Sequence, residues 1–191
     1  MHEAPGDMTP IQSLLSRIST GALVDPAPTG EALDQIIGAA LRAPDHGKLR
    51  PWRLVLISGP ARAVFAERAI AALLARDPDA SMAEQQRMRG KITAPPLIVA
   101  LGAHIVDGHK IPPTEQIQSV AAAAMNMLNA AHALGFGGKW VTGPNAYDPI
   151  VAAELGLQTL IGFLYLGTPA GPPPALAALD PSDYARVYAE A

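Results

Sequence analysis

The sequence contains no cysteine among its 191 residues. That absence excludes a disulfide scaffold, thiolate zinc sites, iron–sulfur clusters and a cysteine nucleophile together. An excess of charge is lacking as well: 14 Lys and Arg against 17 Asp and Glu leave a net charge of −3. There is thus no general electrostatic footprint for nucleic acid, and any basic residue that matters must act locally. The N-terminal MHEAPGDMTP is acidic, contains proline and has no apolar stretch of the kind a secretory signal needs, so a cytoplasmic protein is the simplest expectation. Conventional catalytic signatures are missing too, with no GxSxG elbow, P-loop, HExxH or GxGxxG between a strand and a helix.

What is present is apolar. A hydrophobic content of 49% suffices for a real core, and one domain over residues 1–191 is expected, with a Pro-rich tail from about residue 168. The stretch from Glu115 to Gly143 reads as a nearly all-apolar helix as far as Leu134, then a glycine cluster and a short strand ending at Thr142. Such a helix is about 30 Å long. Gln118, Ser119, Asn126 and Asn129 fall on one narrow arc, while Val120, Ala121, Ala124, Met125, Met127, Leu128, Ala131 and Leu134 cover the other faces. Two Asn, a Ser and a His argue against a membrane span. The many alanines permit close helix–helix approach, which suits a subunit interface.

The remaining elements follow from caps and breakers. Thr9-Pro10 opens a short amphipathic helix, and the segment TGALVDPAPTG is extended coil. Thr29 is expected to cap a second helix that stops at Pro44. A polar loop from Pro44 to Pro51, with Arg42 just before it and Arg53 just after, carries Asp45, His46, Lys48 and Arg50 up to WRLVLIS (52–58), read as a buried strand. ARAVFAERAIAALLAR is a third helix, and Ser81 to Lys91 reads as a solvated surface helix rather than a lid. LIVALGA (97–103) suits a strand buried on both faces. Asp148-Pro149 caps a short helix. Four strands, at 52–58, 97–103, 138–142 and 160–166, with helices between them, predict an α+β fold with a helical layer on each side of the sheet.

Two Arg-plus-donor pairs stand beside helix ends: Arg17 with Ser19, and Arg42 with His46. Arginine gives bidentate, charge-assisted bonds to phosphate, which a hydroxyl or imidazole can complete. Surface ion pairs with nearby acids are the alternative. His104, Asp107 and His109 share no regular face, so a solvated loop accounts for them and no metal site is expected. The glycines of Gly135-Phe-Gly-Gly138 follow a helix rather than precede one, and read as a C-cap and tight turn rather than a dinucleotide fingerprint.

Taken in order, Arg17-Ile-Ser19, Pro28-Thr-Gly-Glu31 with Arg42-Ala-Pro-Asp-His46 and Pro51-Trp52, His109-Lys-Ile-Pro112 with Glu115-Gln116, Gly135 to Gly143, and Gly162 to Pro169 resemble the FMN-dependent nitroreductase family. The resemblance covers residues 11–169 and is nearest to the small, single-domain branch of NAD(P)H nitroreductases. It implies an α+β nitroreductase-like fold: a central mixed or antiparallel sheet of about four strands, flanked by helices, with the long central helix at a homodimer interface. It implies two FMN sites built from both chains. By position, Arg17, Ile18 and Ser19 would hold the FMN phosphate and ribityl region. Arg42 and His46 of the other subunit would join them, and Trp140, Val141 and Thr142 would line the flavin, largely through backbone groups. The helix end Ala130, Ala131, His132, Ala133, Leu134 and Gly135 would receive the nicotinamide. The family often reads Arg-Arg-Ser with a further basic residue, whereas Ile18 and Thr20-Gly-Ala22 supply none, so one phosphate or substrate contact is lacking here.

The implied chemistry is ping-pong electron transfer from NAD(P)H through flavin to nitro compounds, quinones or related acceptors, with no catalytic side chain required. The alternative is an FMN- or ligand-binding dimer with little turnover, a carrier or sensor.

Overall fold

The computed structural model describes residues 9–188. The expected loose N-terminal start and the last residues of the tail lie outside that range. Helix α1 (Pro10–Ser16) begins with a capping box: Thr9 Oγ1 accepts from Gln12 N–H at 3.2 Å, and Gln12 Oε1 accepts from Thr9 N–H at 2.7 Å. Two otherwise orphaned donors are satisfied in this way. A two-residue strand β1 (Leu23–Val24) interrupts the expected coil.

Helix α2 (Gly30–Ala40) departs from expectation at both ends. The Thr29 hydroxyl makes no capping bond, because Gly30 at φ +52° turns the chain between Thr29 and the first helical amides. The helix also ends before Pro44. Arg42 and Ala43 donate to Ala39 and Ala40 carbonyls in tightened i to i−3 turns.

Next come β2 (Trp52–Ser58), α3 (Ala61–Arg76), α4 (Met82–Thr93), β3 (Leu97–Ala103), α5 (Pro113–Ala133), β4 (Gly137–Val141), α6 (Pro149–Glu154) and β5 (Thr159–Pro169). All pairings are antiparallel, in the order β2-β3-β5-β4, with β1 joining the C-terminal end of β5 through Leu23↔Pro169 and Val24↔Thr168. The reading of β2 as a buried strand is corrected by this order. It is an edge strand paired only with β3, and Leu56 is 42% exposed.

The central β3 is buried along its whole length. Leu97, Val99, Leu101 and Ala103 face one core with Ile36, Val120, Met127, Leu164 and Leu166. Ile98 and Ala100 face the second, with Ile57, Phe65, Ala69, Val151 and Phe163. Helices α2 and α5 cover the first face and α3, α4 and α6 the second, which is the period-2 alternation expected of a strand between two layers.

Along α5 the polar arc has mixed fates. Asn126 donates to Ala39 O at 3.0 Å, tying α5 to α2, and Ser119 donates to Glu115 O. Gln118 and Met125 are exposed, with Ala121, Ala122 and Asn129 half-buried between them. One face of the long helix is therefore uncovered within a single chain. No helix of the described residues is long and apolar enough to cross a membrane.

The glycine cluster splits into two functions. Gly135, at φ +84°, closes α5 in a Schellman motif: Gly135 N–H donates to His132 O at 2.9 Å and Phe136 N–H to Ala131 O at 2.8 Å. Gly137 and Gly138 are already strand residues. A Cβ on Gly138 would meet Leu128 and Leu166, so this glycine sets how closely α5 approaches β4. Beyond Pro169 the chain is exposed through residue 188, with a single 3₁₀ turn at Pro181–Asp183.

Candidate active site

The Arg17–Leu23 segment leaves α1 and lies along β4. Thr20 N–H donates to Gly138 O at 3.0 Å, Gly138 N–H donates to Thr20 Oγ1 at 3.2 Å, and Lys139 Nζ donates to Gly21 O at 2.6 Å. A Cβ on Gly137 would strike Leu23 and Thr20, so the glycine is what admits this segment. Arg17 is half-buried and its Nε is enclosed without a hydrogen-bond partner, while Ser19 is exposed and Ile18 half-buried. An enclosed guanidinium N–H with nothing to bond is a donor held in reserve, since native structures rarely leave one unmatched.

Directly beyond this segment is a groove of about 700 Å³, lined by Gly21 to Leu23, one side of α4 and the outward residues of β4 and β5. Three cations line it: Arg87, Lys91 and Lys139. Among the described residues no carboxylate forms an ion pair with any of them. Burial pushes the Tyr165 phenol above its ordinary range, which keeps it protonated, and Lys139 Nζ stands 5.9 Å from that ring's centroid. Val141 lines the groove, and Thr142 joins it in an adjacent smaller pocket. The indole of Trp140 turns the other way, into the core beneath α5.

The second Arg pair is elsewhere. His46 Nδ1 is 2.7 Å from Glu115 Oε2, at the first turn of α5, whereas Ser16 Oγ is 2.9 Å from His132 Nε2 in its last turn. Seventeen residues at 1.5 Å each separate those two anchors by about 25 Å. One chain therefore does not bring His46 to Arg17. Arg42 is exposed, and no described residue bonds its side chain. The polar loop between them is organised by Asp45, which accepts from Leu49 N–H at 3.2 Å and Arg50 N–H at 2.7 Å and helps hold Lys48 and Arg50 at positive φ. Arg53 is spent on the Arg50 and Trp52 carbonyls.

The expected nicotinamide stretch is the final turn of α5 and its cap. Ala131 is fully buried, Ala130 and His132 are half-buried, and Ala133, Leu134 and Gly135 are exposed. The expected loop histidine His109 accepts from Ile111 N–H at 3.1 Å.

Gly162 is where the strand geometry meets the Trp140 indole in the core. It sits at φ +149° beside a β-bulge at Leu101/Gly102, and a Cβ there would collide with the Trp140 indole. Gly162→Ala is expected to push the indole from its place and to cost about 1–3 kcal/mol through overpacking. Chemical denaturation, with Trp140 fluorescence isolated in a Trp52→Phe background, checks both effects.

After Val141 the chain turns at Gly143 (φ 112°) into a 3₁₀ turn, Pro144–Tyr147, anchored from α3. Arg76 forms an ion pair with Asp148, whose side chain is 1% exposed, and its Nη2 donates to Asn145 Oδ1 at 3.3 Å. Asp148 also caps α6 by accepting from Ile150 N–H at 2.7 Å.

Residues 81–91 lie in the expected largely exposed helix, but Arg87 and Lys91 as lining of a groove are not foreseen from the sequence. Their spacing offers a weak signal: two cations at i and i+4, of which Arg87 has Glu84 three residues before it while Lys91 has no acid within a turn. Their helix is held in place by the Ser81/Glu84 capping box, by the bidentate Arg89–Glu67 pair and by Arg62, which donates to Thr93 O and Pro95 O.

Sheet, helical layers and groove together define a class: an α+β protein with an antiparallel sheet between two layers and a cation-lined groove beside its last strand. Within that class the comparisons are specific. The family model described as the nitroreductase family matches residues 14–168, and the chain belongs to that family. YdjA of Escherichia coli (strain K12), whose name places it with the NAD(P)H nitroreductases, is 38% identical over 168 residues, covering 85% of this chain and 89% of that protein. The nitroreductase-like family protein of Bacillus cereus superposes with a TM-score of 0.79 at 20% identity, over 98% of both chains. A nitroreductase-type protein of Desulfovibrio desulfuricans, crystallised in complex with FMN, superposes with a TM-score of 0.72 at 19% identity, over 95% of this chain and 98% of that one. The protein is thus an oxidoreductase of nitroreductase type.

Proposed function

We propose that the protein is a cytoplasmic, homodimeric FMN enzyme that passes electrons from NAD(P)H to nitro compounds, quinones or related acceptors. The observation that carries this reading is the groove: three cations that form no ion pair among the described residues, with Arg17, four residues before the groove's Gly21 wall, holding an enclosed Nε that lacks an acceptor. That is a site of unmatched donors, and a phosphorylated, electron-accepting ring matches it. Arg17 and Ser19 would take the phosphate. Lys91 and Lys139 would place positive charge beside the ring, which favours a reduced, anionic form over a neutral one. Tyr165, Val141 and Thr142 would form the wall and exclude water. When bound, flavin supplies the two-electron chemistry, alternately reduced by the nicotinamide and oxidised by the acceptor.

The same geometry supports a dimer. An FMN site that uses both Arg pairs needs a second chain, because about 25 Å of α5 separates them in one. The uncovered face of α5 and the exposed Ile11, Leu14 and Leu15 of α1 offer the apolar surface for it.

Purified protein is expected to be yellow, or to become so on addition of FMN, and its flavin absorbance to bleach under anaerobic conditions with NADH or NADPH. Protein that takes no FMN sinks the reading. Protein that takes FMN but is bleached by neither nicotinamide is a carrier or sensor instead.

A further inference from the structure

Beside the groove, between α3, α4 and the Pro144–Tyr147 turn, lies a second pocket of about 260 Å³. Its walls are Phe65, Leu73, Met88, Ile92 and Phe163. A dry cavity of about 150 Å³ accepts benzene, so the space suits a substituted single ring. The polar groups at its edge are almost all donors. Arg87 and Lys91 are one turn apart on α4 and shared with the groove. Asn145 is clamped through its Oδ1 by Arg76, which leaves its N–H₂ as the free end. Thr142 adds a hydroxyl. The single carboxylate, Glu84, accepts from Ser81 N–H and Ser81 Oγ through Oε2, each at 2.8 Å, which holds it ionised, and its charge acts on Arg87, so Arg87 and Lys91 together exceed it by one positive charge.

We propose that this pocket binds a planar aromatic ring carrying an anionic, acceptor-rich substituent such as a carboxylate, with the ring on Phe65, Met88 and Phe163 and the anion on Arg87 and the Asn145 amide. Two cations against one carboxylate leave a net positive edge that selects the charge, and the apolar walls select the ring. The pocket shares Arg87, Lys91, Val141 and Tyr165 with the groove, so a ring that also carries a nitro group is placed as the enzyme's acceptor, taking two electrons from reduced flavin and two protons to give the nitroso compound and water. That role rests on the flavin reading above; the binding itself does not.

The test uses 4-fluorobenzoate and the neutral 4-fluorobenzyl alcohol, titrated into the full-length protein by ¹⁹F NMR, alongside the flavin spectrum. The native protein is expected to bind the benzoate at least tenfold more tightly than the alcohol. Arg87→Gln is expected to weaken the benzoate at least tenfold while changing the alcohol less than threefold, and Met88→Trp, which fills the pocket, to abolish both. Equal affinity for the two rings, or a benzoate affinity indifferent to both substitutions, overturns the proposal even if the flavin bleaches normally. Charge-selective binding that Arg87→Gln removes upholds the pocket even in protein that takes no flavin, in which case only the acceptor role falls.

Discussion

Replacing Arg76 by Ala is expected to lower the free energy of unfolding by about 3 kcal/mol. The reason is what it leaves behind. Asp148 has 1% of its side chain exposed, and its charge is balanced by Arg76. Removing one partner of such a pair strands the other in a poor dielectric, at a cost of about 3–5 kcal/mol, and the lower figure applies because Arg76 itself is 30% exposed and admits some water. In a chain of this length about 3 kcal/mol corresponds to a melting temperature lower by roughly 10 °C. A second substitution separates charge from packing. Asp148→Asn in the Arg76→Ala background keeps an oxygen to cap α6 but removes the stranded charge, so the double variant should be more stable than Arg76→Ala alone. If the double variant is no better by thermal and urea unfolding, the buried charge is not the cause. The same substitution frees Asn145 from its clamp, loosening the turn next to Thr142.

The elements of this fold were legible wherever a local device announces them. Thr9 before Pro10, Ser81 before a helix, Asp148 before Pro149 and the continuous apolar run of β3 each carry their own signal, and β2, β3 and α3 have the boundaries read from the sequence. What failed was long-range. That β2 is an edge strand depends on β5 pairing with β3 and β4 at once, which no window of sequence contains. The Thr29 cap failed because Gly30 could take a positive φ, a freedom the residue type allows but does not announce. At the site, Arg17 and the β4 strand were legible as motifs, yet their union depends on Gly137 being small enough for Thr20 to dock. Arg87 and Lys91 became visible only when α4 was placed across from Lys139, residues far apart in the chain and sharing a groove.

Arg17→Ala is expected to weaken FMN binding roughly a hundredfold without weakening the apoprotein. Two charge-assisted bonds to a phosphate contribute about 1.5–3 kcal/mol each, so their joint loss exceeds the roughly 2.7 kcal/mol that a hundredfold requires. Stability should move the other way if at all, because an enclosed Nε without a partner is a cost to the folded apoprotein that alanine removes. The decisive version pairs this variant with Arg42→Ala/His46→Ala in a heterodimer purified through two different tags. If each FMN site takes Arg17 from one chain and Arg42 and His46 from the other, the heterodimer holds one site with every substitution and one with none. It should then bind one FMN per dimer with native affinity, although neither parent homodimer does. If the pairs act within one chain, both sites are damaged and no native-affinity flavin returns. The separation of the α5 anchors, Glu115 with His46 and His132 with Ser16, favours the first outcome. At about 25 Å they are too far apart for one phosphate to meet both.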